Sequence, residues 1–371
     1  MNPSGRLKIL FIIGWPLNQG GHIHSTLNHI KYLVRQGHHV ILLAPEGKKI
    51  NEFISVGAIY FKMPEHYLLS VLYILGLALT RKVDIIHAMD YEAIKKSIFA
   101  RIILRRPFVY SKAGGTSPSY KIPPVDSLIV FSSELYDQLN PKTPQGTPVY
   151  LIKERIDLEI FRPMKFKKES STKIIFMAMR LEPQKSKWLD NLIDQIEIHY
   201  SDLSGYQFCI AGNGSLFNHY KLLGQGINQN AGCELIRFVG SVDTAKDMSY
   251  WYNSADLVIG HGRGIIEAMA CGKNVIILGE GHEAELINQK NINEIAYYNF
   301  SGRHFRYRTM IQDTSLITCI NGSCKPNDWN YIYVKDNYSA EVGAEKMIEL
   351  YYSSHSSLKP FKIFKWLINR N

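Results

Sequence analysis

The chain has 371 residues, 46% apolar and 20% charged, with a formal net charge of +10. That excludes a disordered chain, leaves room for two domains of ordinary size and calls for an anionic partner: nucleic acid, an anionic membrane surface or a phosphorylated substrate. The longest apolar run, residues 67–79, is shorter than the ~20 residues a bilayer-spanning helix needs.

Residues 8–13 read as a buried parallel strand, followed by a glycine loop that ends at Gly20 and Gly21. A helix over residues 22–36 carries Ile23, Leu27, Ile30, Leu33 and Val34 on one face and stops at Gly37. Residues 40–44 form the next strand, so the chain opens as the first half of a doubly wound fold. The loop is not GxGxxG, so no dinucleotide fingerprint is present. A third strand is expected over 54–61, then the apolar segment 67–79, a strand over 84–87 ending in His87, and a helix over 92–104. Strands over 108–110 and 127–131 follow. The loop after the first of these, Ser111-Lys112-Ala113-Gly114-Gly115-Thr116, lies at a carboxyl end, where α/β sheets bind ligands.

The strongest break in composition is PKTPQGTP, residues 141–148. After it a second β–loop–α series begins. A strand over 173–179 leads to Arg180 and Lys185 and a helix over 188–198; a strand over 208–211 ends in Gly212-Asn213-Gly214. Another strand, over 236–239, ends at Gly240, and a short helix over 248–253 precedes residues 256–287, DLVIGHGRGIIEAMACGKNVIILGEGHEAELI. That stretch reads as strand, glycine loop 260–264, short helix 265–271 and strand 275–278, with a second glycine loop leading into another helix. Backbone N–H groups at such helix starts attract anions, usually phosphate. Glu267 in the first helix offers two oxygens to a vicinal diol such as a ribose, or serves only as an N-terminal carboxylate favourable to the helix dipole. Phosphate plus diol is what a nucleotide requires. Glu283 and Glu285 are capping acids or, for Glu283, part of a sugar or phosphate loop. Residues 301–330 read as irregular, with Arg303, Arg306 and Arg308; 340–352 is a helix; and the tail carries Lys359, Lys362, Lys365 and Arg370 around Phe361, Phe364 and Trp366.

Five scattered cysteines (Cys209, Cys233, Cys271, Cys319 and Cys324) fit a reducing compartment rather than a disulfide framework. Cys319 and Cys324 lie near each other, but no second pair or histidine cluster follows to make a metal site. The first residues carry no secretory cleavage signal.

These residues resemble the large family of retaining GT-B glycosyltransferases called group 1 or family four. MAMRLEPQKS is similar to its G-R-L-x-x-x-K donor-phosphate motif, CIAGNG to I-x-G-x-G, IRFVGSV to V-x-F-x-G, and GIIEAMACGKNVI to the hallmark LEAMACGxPVI. The resemblance implies an α/β fold of two Rossmann-like domains facing across a cleft. The N-terminal, acceptor-binding domain would span 1–152 with the returning segment 356–371, and the C-terminal, donor-binding domain 153–355. It implies that Arg180 and Lys185 bind the donor diphosphate as catalytic cations and that Glu267 holds the ribose. Gly20 and Gly21 would approach the phosphates, and Gly240 and Val242 the base. The family's earlier glutamate, eight residues before Glu267, is Ile259 here; the loop His261-Gly262-Arg263-Gly264 stands in for it as a donor-binding element. Where the family has a histidine after the strand ending FVYS, this chain has Lys112 and Ala113. Lys112, with Gly114, Gly115 and His87, makes up the acceptor or cleft candidates, His87 being equally a structural strand-end residue.

The implied function is transfer of a sugar from a UDP- or GDP-sugar to a glycan or lipid-linked acceptor with retention, in cell-surface polysaccharide or glycolipid synthesis. No glycosidase-type carboxylate pair or enzyme nucleophile is evident, so the leaving phosphate is expected to accept the acceptor's proton. No D-x-D motif is present, so no metal or other cofactor is expected. The apolar segment 67–79, the cations Lys95, Lys96, Arg101, Arg105 and Arg106, and the basic aromatic tail suit peripheral attachment to an anionic membrane from the cytoplasmic side. A nucleic-acid partner would explain the charge but not the motifs. Two other readings remain open: a catalytically degenerate partner in a membrane assembly, and a nucleotide-sugar epimerase.

Overall fold

The computed structural model describes residues 5–18, 20–118, 120–143, 147–165, 171–242, 244–281, 283–308, 315–323 and 328–354. The basic tail and Cys324 lie outside them. In chain order the elements are β1 (Lys8–Ile12), α1 (Gly21–Arg35), β2 (His39–Ala44), α2 (Ile50–Ser55), β3 (Ile59–Lys62), α3 (Tyr67–Thr80), β4 (Ile85–Ala88), α4 (Tyr91–Leu104), β5 (Phe108–Lys112), β6 (Ser127–Val130), α5 (Ser133–Leu139) and β7 (Val149–Leu151). Then come β8 (Lys173–Ala178), α6 (Ser186–His199), β9 (Tyr206–Ala211), α7 (Phe217–Ala231), β10 (Ile236–Gly240), α8 (Ala245–Ser254), β11 (Leu257–Gly260), α9 (Arg263–Ala270), β12 (Asn274–Leu278), β13 (Ala284–Leu286), α10 (Ile292–Tyr297), α11 (Leu316–Gly322), α12 (Trp329–Tyr338) and α13 (Ala340–Ser353).

The chain divides into two compact units, residues 1–155 with 338–371, and residues 156–337. The first holds a seven-stranded parallel sheet in the order β3-β2-β1-β4-β5-β6-β7. Its strands are apolar on both faces because helices cover both. Along β1, Ile9 and Phe11 pack with α1 and α13, while Leu10 and Ile12 pack with α3, α4 and α5. The second unit holds a six-stranded sheet, β10-β9-β8-β11-β12-β13. Ile175 and Met177 face α6, α7 and α11, and Phe176 on the opposite face stacks on Trp251 of α8 at 5.4 Å. Both sheets share one plan: strand order reverses between β1 and β4 in the first unit and between β8 and β11 in the second. That reversal opens a crevice at the carboxyl ends of the strands, where such folds bind ligands.

Four expectations are corrected. Residues 54–61 are not one strand: Phe53 is buried within α2, Gly57 turns the chain at φ 97°, and only β3 joins the sheet. The second glycine loop leads into β13, which pairs antiparallel with β12 through Leu278–Ala284 and Ile276–Leu286. Segment 301–330 is not wholly irregular, since it contains a 3-10 turn (Arg303–Tyr307) and α11. The C-terminal helix does return to the first domain, but the return begins at residue 338 rather than 356: α13 packs in the first unit, where Met347, Leu350 and Tyr351 join the core with α1.

Candidate functional site

In the second unit the candidates gather after the two strands that flank the reversal. The loop after β8 carries Arg180, and it lies directly on Gly212 and Gly214 of the loop after β9. A Cβ on either glycine would overlap the Met179 or Leu181 carbonyl, and Leu181 N–H bonds to the Asn213 carbonyl at 3.1 Å. The glycines are therefore required by close backbone approach. A 3-10 turn, Pro183–Lys185, then opens α6. Lys185 Nζ sits 4.9 Å from the ring centroid of Trp188. Burial, then the positive charges of Arg180 and Arg303, hold its ammonium below the usual lysine range, with Glu280 opposing them. Arg180 is exposed, and Arg303 begins the turn after α10. Nothing in the sequence around Arg303 marks it for a site: the stretch from 301 shows no periodicity that places it near Lys185.

The loop after β11 meets this group from the other side of the reversal. His261 stacks on Trp188, centroids 4.1 Å apart and planes 14° from parallel. Burial and Lys185 push the His261 imidazole down to about 3, so it is neutral at ordinary pH. Its Nδ1 and the Trp188 indole N–H are both buried without a hydrogen-bond partner among the described residues. Gly262 takes φ 68° at the start of α9, where its N–H donates to the Phe300 carbonyl. Helix α9 begins at Arg263, two residues earlier than the apolar pattern suggested. Glu267 is buried: Arg263 Nε donates to Oε1 at 2.6 Å and the Tyr252 hydroxyl to Oε2 at 3.4 Å. A Cβ on Gly264 would stand 3.0 Å from that hydroxyl, so the small residue leaves room for Tyr252 to reach Glu267. Each carboxylate oxygen has one donor here and retains lone-pair capacity for a diol.

Gly240, at φ 76°, ends β10, and its carbonyl accepts from Gly212 N–H at 2.8 Å; Val242 follows, half-buried. Glu283 turns back on its own loop. Its carboxylate accepts from Gly281 N–H at 2.9 Å, and its carbonyl accepts from Gly279 N–H at 2.9 Å. Glu285, read as a cap, instead pairs with Arg308 at 3.1 Å and approaches His304 at 3.2 Å.

In the first unit, Gly20 and Gly21 stand at the amide end of α1, with Gly20 in extended backbone. His87 does not reach an open edge. It is fully buried, with Nδ1 2.6 Å from the Tyr351 hydroxyl and Nε2 2.8 Å from the Ser111 hydroxyl, and burial lowers it to about 3. It ties β4 to β5 and α13, and the acceptor-side assignment is withdrawn. Arg101, counted among surface cations, is likewise internal, bonded to Asp126 at 2.5 and 3.0 Å.

Lys112 and Gly114 do line a pocket of roughly 250 Å³ at the ends of β1, β4 and β5, across that unit's reversal. Gly114 and Gly115 turn there at φ 113° and 78°. Its walls include Trp15, Tyr91, Tyr110 and Tyr120, residues to which sequence reasoning gave no site role. Tyr91 and Tyr120 stack at 3.9 Å, and the Tyr110 and Tyr120 hydroxyls bond at 2.7 Å. Gly14 allows the loop after β1 to reach α4: its N–H donates to Asp90 Oδ2 at 2.7 Å, and a Cβ would come within 2.6 Å of Ala93 N. Among the described residues no cluster of three or more histidine, cysteine, aspartate or glutamate side chains is placed to hold a metal, and no helix is long and apolar enough to cross a membrane.

Residues 172–298 match the family model described as glycosyl transferases group 1. The fold matches that of a glycosyltransferase from Rickettsia africae, with TM-score 0.69 and 17% identity over 93% of this chain and 98% of that one. It also matches Anabaena HepE, solved in complex with UDP and glucose, with TM-score 0.66 and 16% identity over 94% and 100%. A UDP-GlcNAc 2-epimerase from Methanocaldococcus jannaschii gives TM-score 0.59 and 12% identity over 94% and 100%. No curated protein matches the chain in sequence. The fold is that of the GT-B glycosyltransferases, and the family match covers the donor-side candidates Arg180, Lys185, Gly240, Val242, Gly262, Arg263, Gly264, Glu267 and Glu283.

Proposed function

From that group 1 glycosyltransferase match we propose that the protein moves a sugar from a UDP- or GDP-sugar to a glycan or lipid-linked acceptor with retention, in cell-surface polysaccharide or glycolipid synthesis. The observation that carries the reading is the placement of Arg180 and Lys185 after β8 at the second unit's reversal, with Lys185 Nζ 4.9 Å from the Trp188 ring on which His261 of the loop after β11 stacks. Such a group favours a diphosphate guest. In the reaction the bond from the sugar's anomeric carbon to the β-phosphate oxygen breaks, with its electron pair going to that oxygen. The acceptor hydroxyl attacks from the same face, and its proton passes to the leaving phosphate. Arg180 and Lys185 stabilise the developing charge, worth about 3–4 kcal/mol per well-placed donor. Glu267 holds the ribose hydroxyls, and no metal is required.

The same reading places the protein on the inner face of an anionic membrane. Its support is α3, which has no charged residue and leaves Leu68, Leu72 and Leu79 62–63% exposed while Ser70, Ile74, Leu77 and Ala78 face inward. Arg81 and Lys82 follow at its carboxyl end, and exposed Arg105 and Arg106 follow its neighbour α4. An apolar helix half in water with cations at its carboxyl end suits an anionic lipid surface.

The test is a thermal-shift screen of the full chain with UDP, GDP, ADP and their sugars. A ligand bound by the native state alone raises the melting temperature. No shift with any nucleotide rejects the reading; loss of turnover with chelator, restored by a divalent cation, rejects its metal-independent form. The epimerase neighbour motivates a second reading, separated by product analysis with donor alone: an epimerised nucleotide sugar without acceptor decides for it.

A further inference from the structure

We infer that the first unit's pocket takes the anionic group of a phosphorylated or carboxylated saccharide acceptor, with Lys112 as its counter-ion. This deepens the transferase reading and rests on it. Lys112 projects from the end of β5 into a pocket walled largely by aromatic rings. Its one hydrogen bond is to the Gly114 carbonyl of its own turn, at 2.5 Å, and no carboxylate pairs with it among the described residues. An ammonium has three N–H donors, so this turn leaves donors for a guest. Burial accounts for the lowering of its proton affinity. The carboxylate that does line the pocket is committed elsewhere. Asp90 caps α4, with Oδ1 accepting from Ala93 N–H at 2.8 Å and Oδ2 from Gly14 N–H at 2.7 Å.

A partly desolvated cation without a counter-ion is costly, and an incoming anion removes that cost. The amide end of α1 adds partial positive charge from His22, which also lines the pocket. Rings of Trp15, Tyr91 and Tyr120 suit the carbon face of a pyranose, and the indole of Trp15 is 56% exposed. A neutral sugar would use the rings and leave Lys112 unanswered. An inorganic anion would use Lys112 and leave the rings unanswered.

The experiment measures binding of glucose 6-phosphate, glucuronate and glucose to the full chain, in wild type, Lys112→Met and Lys185→Ala, each checked first for an unchanged ligand-free melting transition. Either anionic sugar should bind at least about tenfold more tightly than glucose. That preference should vanish in Lys112→Met and persist in Lys185→Ala, while UDP shows the reverse dependence. Glucose 6-phosphate alone assigns phosphate, and glucuronate alone assigns carboxylate. The inference is overturned if glucose binds as tightly as both anions, if neither anion binds in a Lys112-dependent way, or if Lys112→Met weakens UDP as much as the anionic sugars. Failure of the transferase reading would show separately, as absence of UDP binding in wild type.

Discussion

Trp188 and His261 lie face to face at 4.1 Å and join the first turn of α6 to the loop that follows β11. Lys185 Nζ approaches the same indole at 4.9 Å, so one ring holds both halves of the candidate donor-side group in place. Trp188→Ala should destabilise the second unit by about 3–5 kcal/mol, as expected for a large buried aromatic, and weaken UDP binding beyond what the stability loss explains. Trp188→Phe keeps a ring for both neighbours and should stay close to wild type. Urea melts and UDP titrations check both; an unchanged urea midpoint in the alanine variant would show that the stack holds nothing.

Arg180→Ala and Lys185→Ala should each lower turnover by about 10²–10³ while leaving the melting transition in place, since removing one donor from a developing anion costs that much. Near-wild-type turnover in either removes that residue from the site. Arg303→Ala should fall between them and wild type.

The pH dependence of stability follows from two histidines. His87 and His261 are both lowered to about 3 by burial, against an ordinary value of 6.5. Between those values the unfolded chain binds protons that the folded chain does not, so stability falls as pH drops from about 6.5 toward 3, by up to about 1.4 kcal/mol per unit per histidine. The urea midpoint should decline from pH 7 to pH 4.5, and His87→Gln should remove part of the slope. The same slope in both proteins would dissociate His87 from it.

Asp126 and Arg101 form a buried pair, side chains 1% and 2% exposed, and Asp126 also accepts Phe108 N–H at 2.9 Å. Asp126→Asn leaves an uncompensated guanidinium and should cost about 3–5 kcal/mol. Arg101→Met with Asp126→Asn should recover part of that loss. Equal urea midpoints for single and double variants would show no coupling.

Leu68→Ser with Leu72→Ser should lower binding to vesicles containing phosphatidylserine at least about tenfold without changing the melting temperature, because each exposed leucine contributes about 1.5–3 kcal/mol on insertion. Neutral phosphatidylcholine vesicles should bind weakly at any salt. Unchanged cosedimentation would detach α3 from the membrane.

Much of this was legible in the residues. The apolar runs at β1, β2, β8 and β11 and the glycine loops between strand and helix give two doubly wound units, because a strand buried on both faces has little freedom in composition. The loop glycines at 212 and 214 stand out for a reason the structure supplies, the carbonyls lying against them. What was hidden depends on long-range contact. Residues 54–61 are apolar enough for a strand, yet Phe53 is drawn inward within a helix. β13 is three residues long and exists only by pairing with β12. Arg101 reads as a solvated cation until Asp126, far along the chain, is beside it. His87 ends a strand as a ligand-facing residue would, but Tyr351 and Ser111 close over it. The aromatic pocket is assembled from three separate strand ends, none informative alone.

The return of α13 to α1 places the entire second unit as an insertion within the first. The inserted unit is continuous in sequence and can complete its core as soon as it leaves the ribosome. The first unit starts earlier but lacks Met347, Leu350 and Tyr351 until the last segment is made, leaving the α1 side of its core uncovered throughout elongation. Synthesis therefore finishes the first unit last, and a truncation before residue 338 yields a chain with one complete core and one open apolar face.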